Sequence, residues 1–291
     1  MRARPAALVV VAGLGWGMGF LVALAVPAST NAGPLPAKPA GTPATMSADD
    51  IVVDSRGATL VAKGHVAAAY GTLRVTSDAL RVDRVAGTAT FSGRVALTDP
   101  KGRASAQEVT LTVAGGERVT MAVLSGHASV ETPSQALLAD RIVADRLRDH
   151  LEALGNVTLF SQPDLIVTGA RLAYDAGQQH AVIYGNAAAR ATVQNRDGRI
   201  RGSWIEVFRQ ADRAVVHGPI EAEVFDARLT GADATIDLGL GSAVIAGPVK
   251  VVRRQGTLLA DRVTVFYRAR RLVAEGATHM TLGGLDEAFS P

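Results

Sequence analysis

The chain contains no cysteine in 291 residues, which excludes disulfides, thiolate metal sites and a cysteine nucleophile. The absence leaves the compartment open, because an exported protein can simply lack the residue. Aromatics are scarce at 4%. An outer-membrane β-barrel needs aromatic girdles at both interfaces, and two Trp with four Tyr do not build them. Charge of one sign is also missing: 30 basic residues face 27 acidic ones, for a net +3. No dense Lys/Arg cluster with interleaved aromatics suggests nucleic acid. Nor is there a G-x-S-x-G elbow, a phosphate loop, an H-E-x-x-H helix motif or a recurring carboxylate pair. No catalytic constellation or cofactor site follows, and the expectation is a protein that is not an enzyme. Gly13, Gly15, Gly17 and Gly19 lie in an apolar N-terminal run and are small-residue composition, not a nucleotide fingerprint.

What the chain does have is a repeat. Gly64, Gly93, Gly126, Gly155, Gly185, Gly218, Gly247 and Gly276 are separated by 29, 33, 29, 30, 33, 29 and 29 residues. A fixed period near thirty marks one supersecondary unit stacked many times, with function spread over a long surface. Fourteen residues after most of these glycines stands a second marker, often a small residue followed by Asp: Ser77-Asp78, Ala106-Gln107, Ala139-Asp140, Thr168-Gly169, Ala260-Asp261. Two half-units of similar length predict two strands per repeat, about eight repeats and roughly sixteen antiparallel strands in an all-β fold.

Period-two alternation supports the strands, as in Val109-Leu111-Val113 and Val263-Val265-Tyr267, with turn chemistry between them. The two long gaps are assigned to lengthened hairpin turns around Gly115-Gly116 and around Asn195 to Gly198. Leu138 to Leu154 carries helical periodicity, yet its Ala139-Asp140 and Gly155 hold the repeat register. It is therefore read as strand–turn–strand with the turn at Arg146 to Asp149.

Arg2 and Arg4 precede an apolar run from Ala6 to Val26, followed by small-residue sites at Val26-Pro27-Ala28 and Thr30-Asn31-Ala32. Residues 1–32 are read as a signal peptide or an N-terminal membrane anchor, and both export the rest of the chain. Residues 33–49, with Pro34, Pro36, Pro39 and Pro43, form a Pro/Ala-rich linker. The repeat domain spans 50–282 and a tail 283–291.

The histidines follow the repeat. His65, His127 and His217 adjoin repeat glycines, and only His65 and His127 share an offset, two repeats apart and out of reach of one metal ion. The marker aspartates Asp78, Asp140 and Asp261 are read as turn or bulge residues. What remains is the apolar face. Its candidate residues are Val75, Leu80, Val82, Val95, Leu97, Val109, Leu111, Ile142, Val157, Leu159, Ile166, Leu172, Ile205, Val207, Val224, Ile236, Val249, Val251, Val263 and Val265. They make either a core that packs on itself or a groove for an apolar ligand.

Leu151-Glu152-Ala153-Leu154-Gly155-Asn156-Val157, Leu138-Ala139-Asp140-Arg141-Ile142 and Leu259-Ala260-Asp261-Arg262-Val263 resemble alternating steps of the periplasmic lipopolysaccharide-transport proteins, the organic-solvent-tolerance-like family. The resemblance extends over nearly all of 50–282. Gly202 and Ala232 depart from the small-Asp step, and Gly64-His65-Val66 lacks the Asn. The resemblance implies an open, twisted β-jellyroll whose two sheets meet along a V, and a non-enzymatic carrier that holds the acyl chains of lipopolysaccharide in its slit. It implies passage from inner to outer membrane, powered by an inner-membrane ABC transporter. Partner jellyrolls are expected to pair at the strands near Ala58–Ala69 and near Val263–Leu282. The soluble and the membrane-anchored members of the family remain undistinguished. The alternative is an exported structural or adhesive β-repeat, β-helix-like, without a lipid ligand.

Overall fold

A computed structural model describes residues 45–54, 57–70, 72–114, 118–162, 164–196, 198–267 and 269–282. The export segment, most of the linker and the tail expected from the sequence lie outside them. The described chain is all-β apart from one 3-10 turn at Arg209–Ala211, and every recorded strand register is antiparallel. It divides into two compact units, which on the described residues are 45–155 and 156–282.

The N-terminal unit contains β1 (Thr45–Ser47), β2 (Asp50–Val53), β3 (Thr59–Tyr70), β4 (Leu73–Asp83), β5 (Thr88–Asp99), β6 (Gly102–Ala114), β7 (Arg118–Thr132) and β8 (Gln135–Asp145). The unit boundary falls inside β9 (His150–Ser161), at Gly155. The C-terminal unit continues with β10 (Leu165–Asp175), β11 (His180–Tyr184), β12 (Ala191–Asn195), β13 (Gly198–Gly202), β14 (Trp204–Phe208), β15 (Arg213–His217), β16 (Ile220–Val224), β17 (Ala227–Gly231) and β18 (Asp233–Asp237). It ends with β19 (Ser242–Arg253), β20 (Gly256–Phe266), β21 (Arg271–Glu275) and β22 (His279–Leu282). Six neighbouring pairs, such as β1/β2 and β13/β14, are halves of one strand interrupted at a repeat marker. Joining each pair would reduce the 22 strands of the described residues to sixteen longer ones.

The markers are where the strands change face. In β4 the inward residues are Val75 and Ser77 before Asp78, then Leu80 after it. The neighbouring strands absorb this shift with one extra residue: against β4, pairing jumps from Lys63 to Val66 in β3 and from Ser92 to Ala96 in β5. Such bulges bend the strand and re-aim its side chains. The bulged residues take positive φ, Gly64 at 75° with His65 at 45°, and Gly93 at 74° with Arg94 at 46°. Only glycine reaches that region without a Cβ penalty, which explains the glycine period. The small-Asp step has the complementary cause. Asp49, Asp78, Asp140 and Asp261 each lay their side chain over the α-carbon of the glycine fifteen residues later, where a Cβ would collide with it. The small residue before the covering Asp or Gln points inward at the bend, as Ser77, Ala106, Ala139 and Ala260 do. The aspartates therefore have the bulge role expected of them.

In the C-terminal unit the bends separate two layers. Layer A is the ladder β11–β14–β15–β18, continued by the 242–246 part of β19, the 262–266 part of β20, and β21. Layer B is β12–β13–β16–β17, continued by the 249–253 part of β19, the 256–260 part of β20, and β22. Alternate residues of both layers are buried, for example Ile205, Val207, Ala214 and Val216 in A, and Ile220, Ala222 and Leu229 in B. Each such aliphatic contributes about 1.5–3 kcal/mol when withdrawn from water.

Several expectations need correction. The repeat begins before Asp50: β1 pairs with Ala67, Ala68 and Ala69, and Asp49 already sits on Gly64. The extra residues of the gap between Gly185 and Gly218 are not in the hairpin around Asn195 to Gly198, because Asn195 pairs directly with Gly198. They lie in 185–190, the crossing between layers, closed by Asn186 Oδ1 accepting from the amides of Ala188 and Ala189. An Asx turn satisfies the backbone there without a strand partner, and nothing in the local composition distinguished it from a hairpin. The ambiguous stretch from Leu138 does form two strands, β8 and β9, separated by residues 146–149 as expected.

Candidate functional site

The strongest candidate is the inward apolar face. Eighteen of the twenty sequence-predicted residues are buried on it, from Val75 in β4 to Val265 in β20. Val82 is half-buried on the same face of β4, following Leu80. Ile166 does not belong: its neighbours Leu165 and Val167 point inward while it points out. The face reverses within β10 between Val167 and Leu172, and projecting the parity of Leu172 backwards across that bend placed the wrong residue inside.

Between the two layers of the C-terminal unit a cavity of about 30 Å³ remains. Val193, Ile200, Ala222 and Val224 of layer B face Ala243, Ile245, Val265 and Tyr267 of layer A across it. Arg199 also borders it, and its Nη2 donates to Glu223 Oε2 at 2.7 Å. That hydrogen bond holds the Glu223 carboxyl below the usual carboxylate range. Burial pushes the Tyr267 phenol well above its ordinary value. The cavity takes about two waters and lies roughly tenfold below the 300 Å³ or more of ordinary ligand pockets. The layers touch along the slit, so a larger guest requires them to part.

Outside the slit, the outer bends of the N-terminal unit carry charge. Arg94 grips Asp78 with Nη2 to Oδ1 at 2.8 Å and Nε to Oδ2 at 3.3 Å, and this hydrogen bonding lowers the Asp78 pKa. His65 Nδ1 lies 2.8 Å from Asp49 Oδ2. These residues are exposed, which fits the structural role read for His65. Among the described residues no three His, Cys, Asp or Glu side chains converge at metal-binding distance.

One group escaped the sequence reading. On the outer face of layer A, His180 and His217 flank Glu206, with His180 Nε2 3.7 Å from Oε2 and His217 Nε2 3.6 Å from Oε1. His180 stacks on Phe208 and His217 on Trp204, both at 4.6 Å between ring centroids. The three titratable residues are separated by 26 and 11 positions and meet only because β11, β14 and β15 are neighbours. No spacing signal could have joined them.

Among the described residues, β1 and β2 pair on one side only, with β3, and β21 and β22 pair only with β20. The N-terminal edge is thus 45–53 and not the strand near Ala58–Ala69, which is flanked on both sides. The edge strands expose apolar side chains: Val52 is 65% exposed and Met280 61%. No helix among the described residues is long and apolar enough to cross a membrane.

Residues 45–150 match the family model described as LptA/(LptD N-terminal domain) LPS transport protein, so this stretch carries a domain of a lipopolysaccharide-transport jellyroll family. The match ends near the unit boundary, short of the full span over which the sequence resemblance was read. No curated protein matches the chain. Among solved structures it is similar to LptH, the LptA-homologous periplasmic component of the lipopolysaccharide transport device of Pseudomonas aeruginosa. That similarity has 15% identity, covers 43% of this chain and 94% of LptH, and has a TM-score of 0.37.

Proposed function

We propose that this chain is a non-enzymatic periplasmic carrier that holds the acyl chains of lipopolysaccharide against its inward face and hands them on from inner to outer membrane. The observation that carries the reading is the family match at 45–150 on a unit whose inward face is predominantly aliphatic, with small residues such as Ser77 and Ala106 at the bends. Each methylene moved from water to such a face gains about 0.8 kcal/mol, and repetition of near-equal sites lets a chain advance without chemistry. Export by the segment at 6–26 would place the carrier in the periplasm, either free after cleavage or tethered. The edges at 45–53 and 271–282, each paired on one side only among the described residues, suit strand addition by other jellyroll components. Such a contact is heterologous and extends instead of closing. Energy would come from a partner ABC transporter in the inner membrane.

The test is in-cell photocrosslinking with benzoylphenylalanine at Leu111, buried in β6, and at its half-exposed neighbour Thr110. A lipopolysaccharide adduct at Leu111 alone is the expected result. Absence of an adduct at both positions in a folded, exported protein would overturn the carrier reading. It would leave the second reading, an exported structural β-repeat that packs on itself, which the small volume of the C-terminal cavity favours.

A further inference from the structure

The two layers of the C-terminal unit are tied together at the bends, where the chain crosses from one to the other. Away from the bends each layer ends in hairpin connections, and these ends form the free margin of the slit. Phe225 occupies the two-residue connection between β16 and β17 in layer B. Arg270 lies in the connection between β20 and β21 in layer A. The Arg270 guanidinium carbon stands 5.1 Å from the centre of the Phe225 ring. This contact bridges the layers beside the cavity, because Val224, which precedes one connection, and Tyr267, which opens the other, both line it.

Both residues adopt the left-handed region, Phe225 at φ 58° and Arg270 at φ 50°. The connection at Phe225 has two residues, a length that favours Asn, Asp or Gly where φ is positive. A bulky residue there is a conformational outlier, and such outliers concentrate at clamps and switch regions. The ring of Phe225 gains its cation from the opposite layer. Among the described residues no carboxylate pairs with Arg270, in contrast to Arg199, which is held by Glu223.

We propose that Phe225 and Arg270 form a clasp over the free margin of the C-terminal slit, opened by an amphiphile whose acyl chain enters the slit while its phosphate headgroup draws Arg270 off the ring. The inference rests on the carrier reading and adds to it a point of entry and a headgroup contact. Arg270 exchanges a ring face for a charge-assisted hydrogen bond to phosphate, the stronger partner. Phe225 is then left free to swing aside.

The test uses the full chain and two fluorescent probes of equal chain length, a pyrene-labelled phosphatidic acid and the matching neutral diacylglycerol. Ala222→Trp, which fills the slit from layer B, checks the underlying reading and is expected to lower binding of both probes more than tenfold. Phe225→Gly removes the ring while suiting the positive φ, so it is expected to fold at least as well as the parent. It should speed uptake of both probes by about two- to fivefold, the size of an exposed cation–π contact. Arg270→Gln should speed uptake of the neutral probe similarly but lose the preference for the phosphate-headed one, and Arg270→Lys should restore that preference. If Ala222→Trp abolishes binding while Phe225→Gly and Arg270→Gln leave both uptake rates at parent values, the clasp is overturned and the slit survives. If neither probe binds, or binding ignores Ala222→Trp, the slit reading itself fails and the clasp with it.

Discussion

In the N-terminal unit the bend glycines 64, 93, 126 and 155 face Asp49, Asp78, Gln107 and Asp140, whereas glycines 218 and 247 of the C-terminal unit face Ser203 and Ala232. The second bulge residue differs as well: His65, Arg94 and His127 in the first unit, Pro219 and Pro248 in the second. The bends persist through all of these exchanges. Backbone conformation and space above the α-carbon are therefore the requirement, and the covering side chain can vary as long as it leaves room. A proline is tolerated because its missing amide falls at a bulge, where the ladder is already interrupted. β19 runs unbroken through Gly247-Pro248 for this reason. The C-terminal unit returns to an aspartate cover only at its last bend, where Asp261 lies over Gly276, so the repeat of covering side chains is most regular in the stretch that matches the transport family.

The largest effect that tests this comparison is at the glycines. Gly93→Val places a branched residue at φ 74° beneath Asp78, and a loss of about 2–4 kcal/mol is expected in denaturant titration. Gly247→Ala, at φ 88° beneath only Ala232, is expected to remain costly at about 1–2 kcal/mol. A neutral Gly247→Ala would show that the covering carboxylate, not the backbone, makes glycine necessary.

Core truncation comes next. Leu124→Ala in β7 and Ile245→Ala in β19 remove fully buried side chains and should each cost about 2–4 kcal/mol. Amide hydrogen exchange should locate the loss of protection in the N-terminal unit for the first and in the C-terminal unit for the second. Loss spread evenly over both units by either variant would contradict the division into two.

The smallest effects concern the covering residues. Arg94 lowers the Asp78 pKa in the folded state, so the stabilisation is present above the unfolded pKa and disappears as pH falls through the lowered folded value. Asp78→Asn is thus expected to be slightly less stable than the parent at neutral pH, with the two curves converging below about pH 4. A constant difference from pH 3 to 7 would reject the ion pair as the cause. Ser203→Asp puts a carboxylate into the C-terminal unit, where Pro219 stands in the place of an arginine. Thermal melts should show a change within about 0.5 kcal/mol.

Much of this architecture was legible because its cause is local. A positive-φ bulge admits glycine, the residue over it stays small or short, and alternation marks the inward side between bends. Those rules place Val109, Leu111, Val263 and Val265 correctly. They failed at Ile166 because the alternation reverses at each marker, and carrying the parity of Leu172 back across Thr168-Gly169 inverts the face. They failed at 185–190 because an Asx-closed crossing and a long hairpin have similar composition.

The sequence by itself determined the glycine period, the all-β class and the apolar character of the inward face, since each depends on residues near one another along the chain. Only the tertiary structure decided which strands are edges, that Glu206 lies between His180 and His217, and that Phe225 meets Arg270. These depend on which strands become neighbours and which layers face each other. A ring and a guanidinium 45 residues apart carry no mark in the sequence that they will touch.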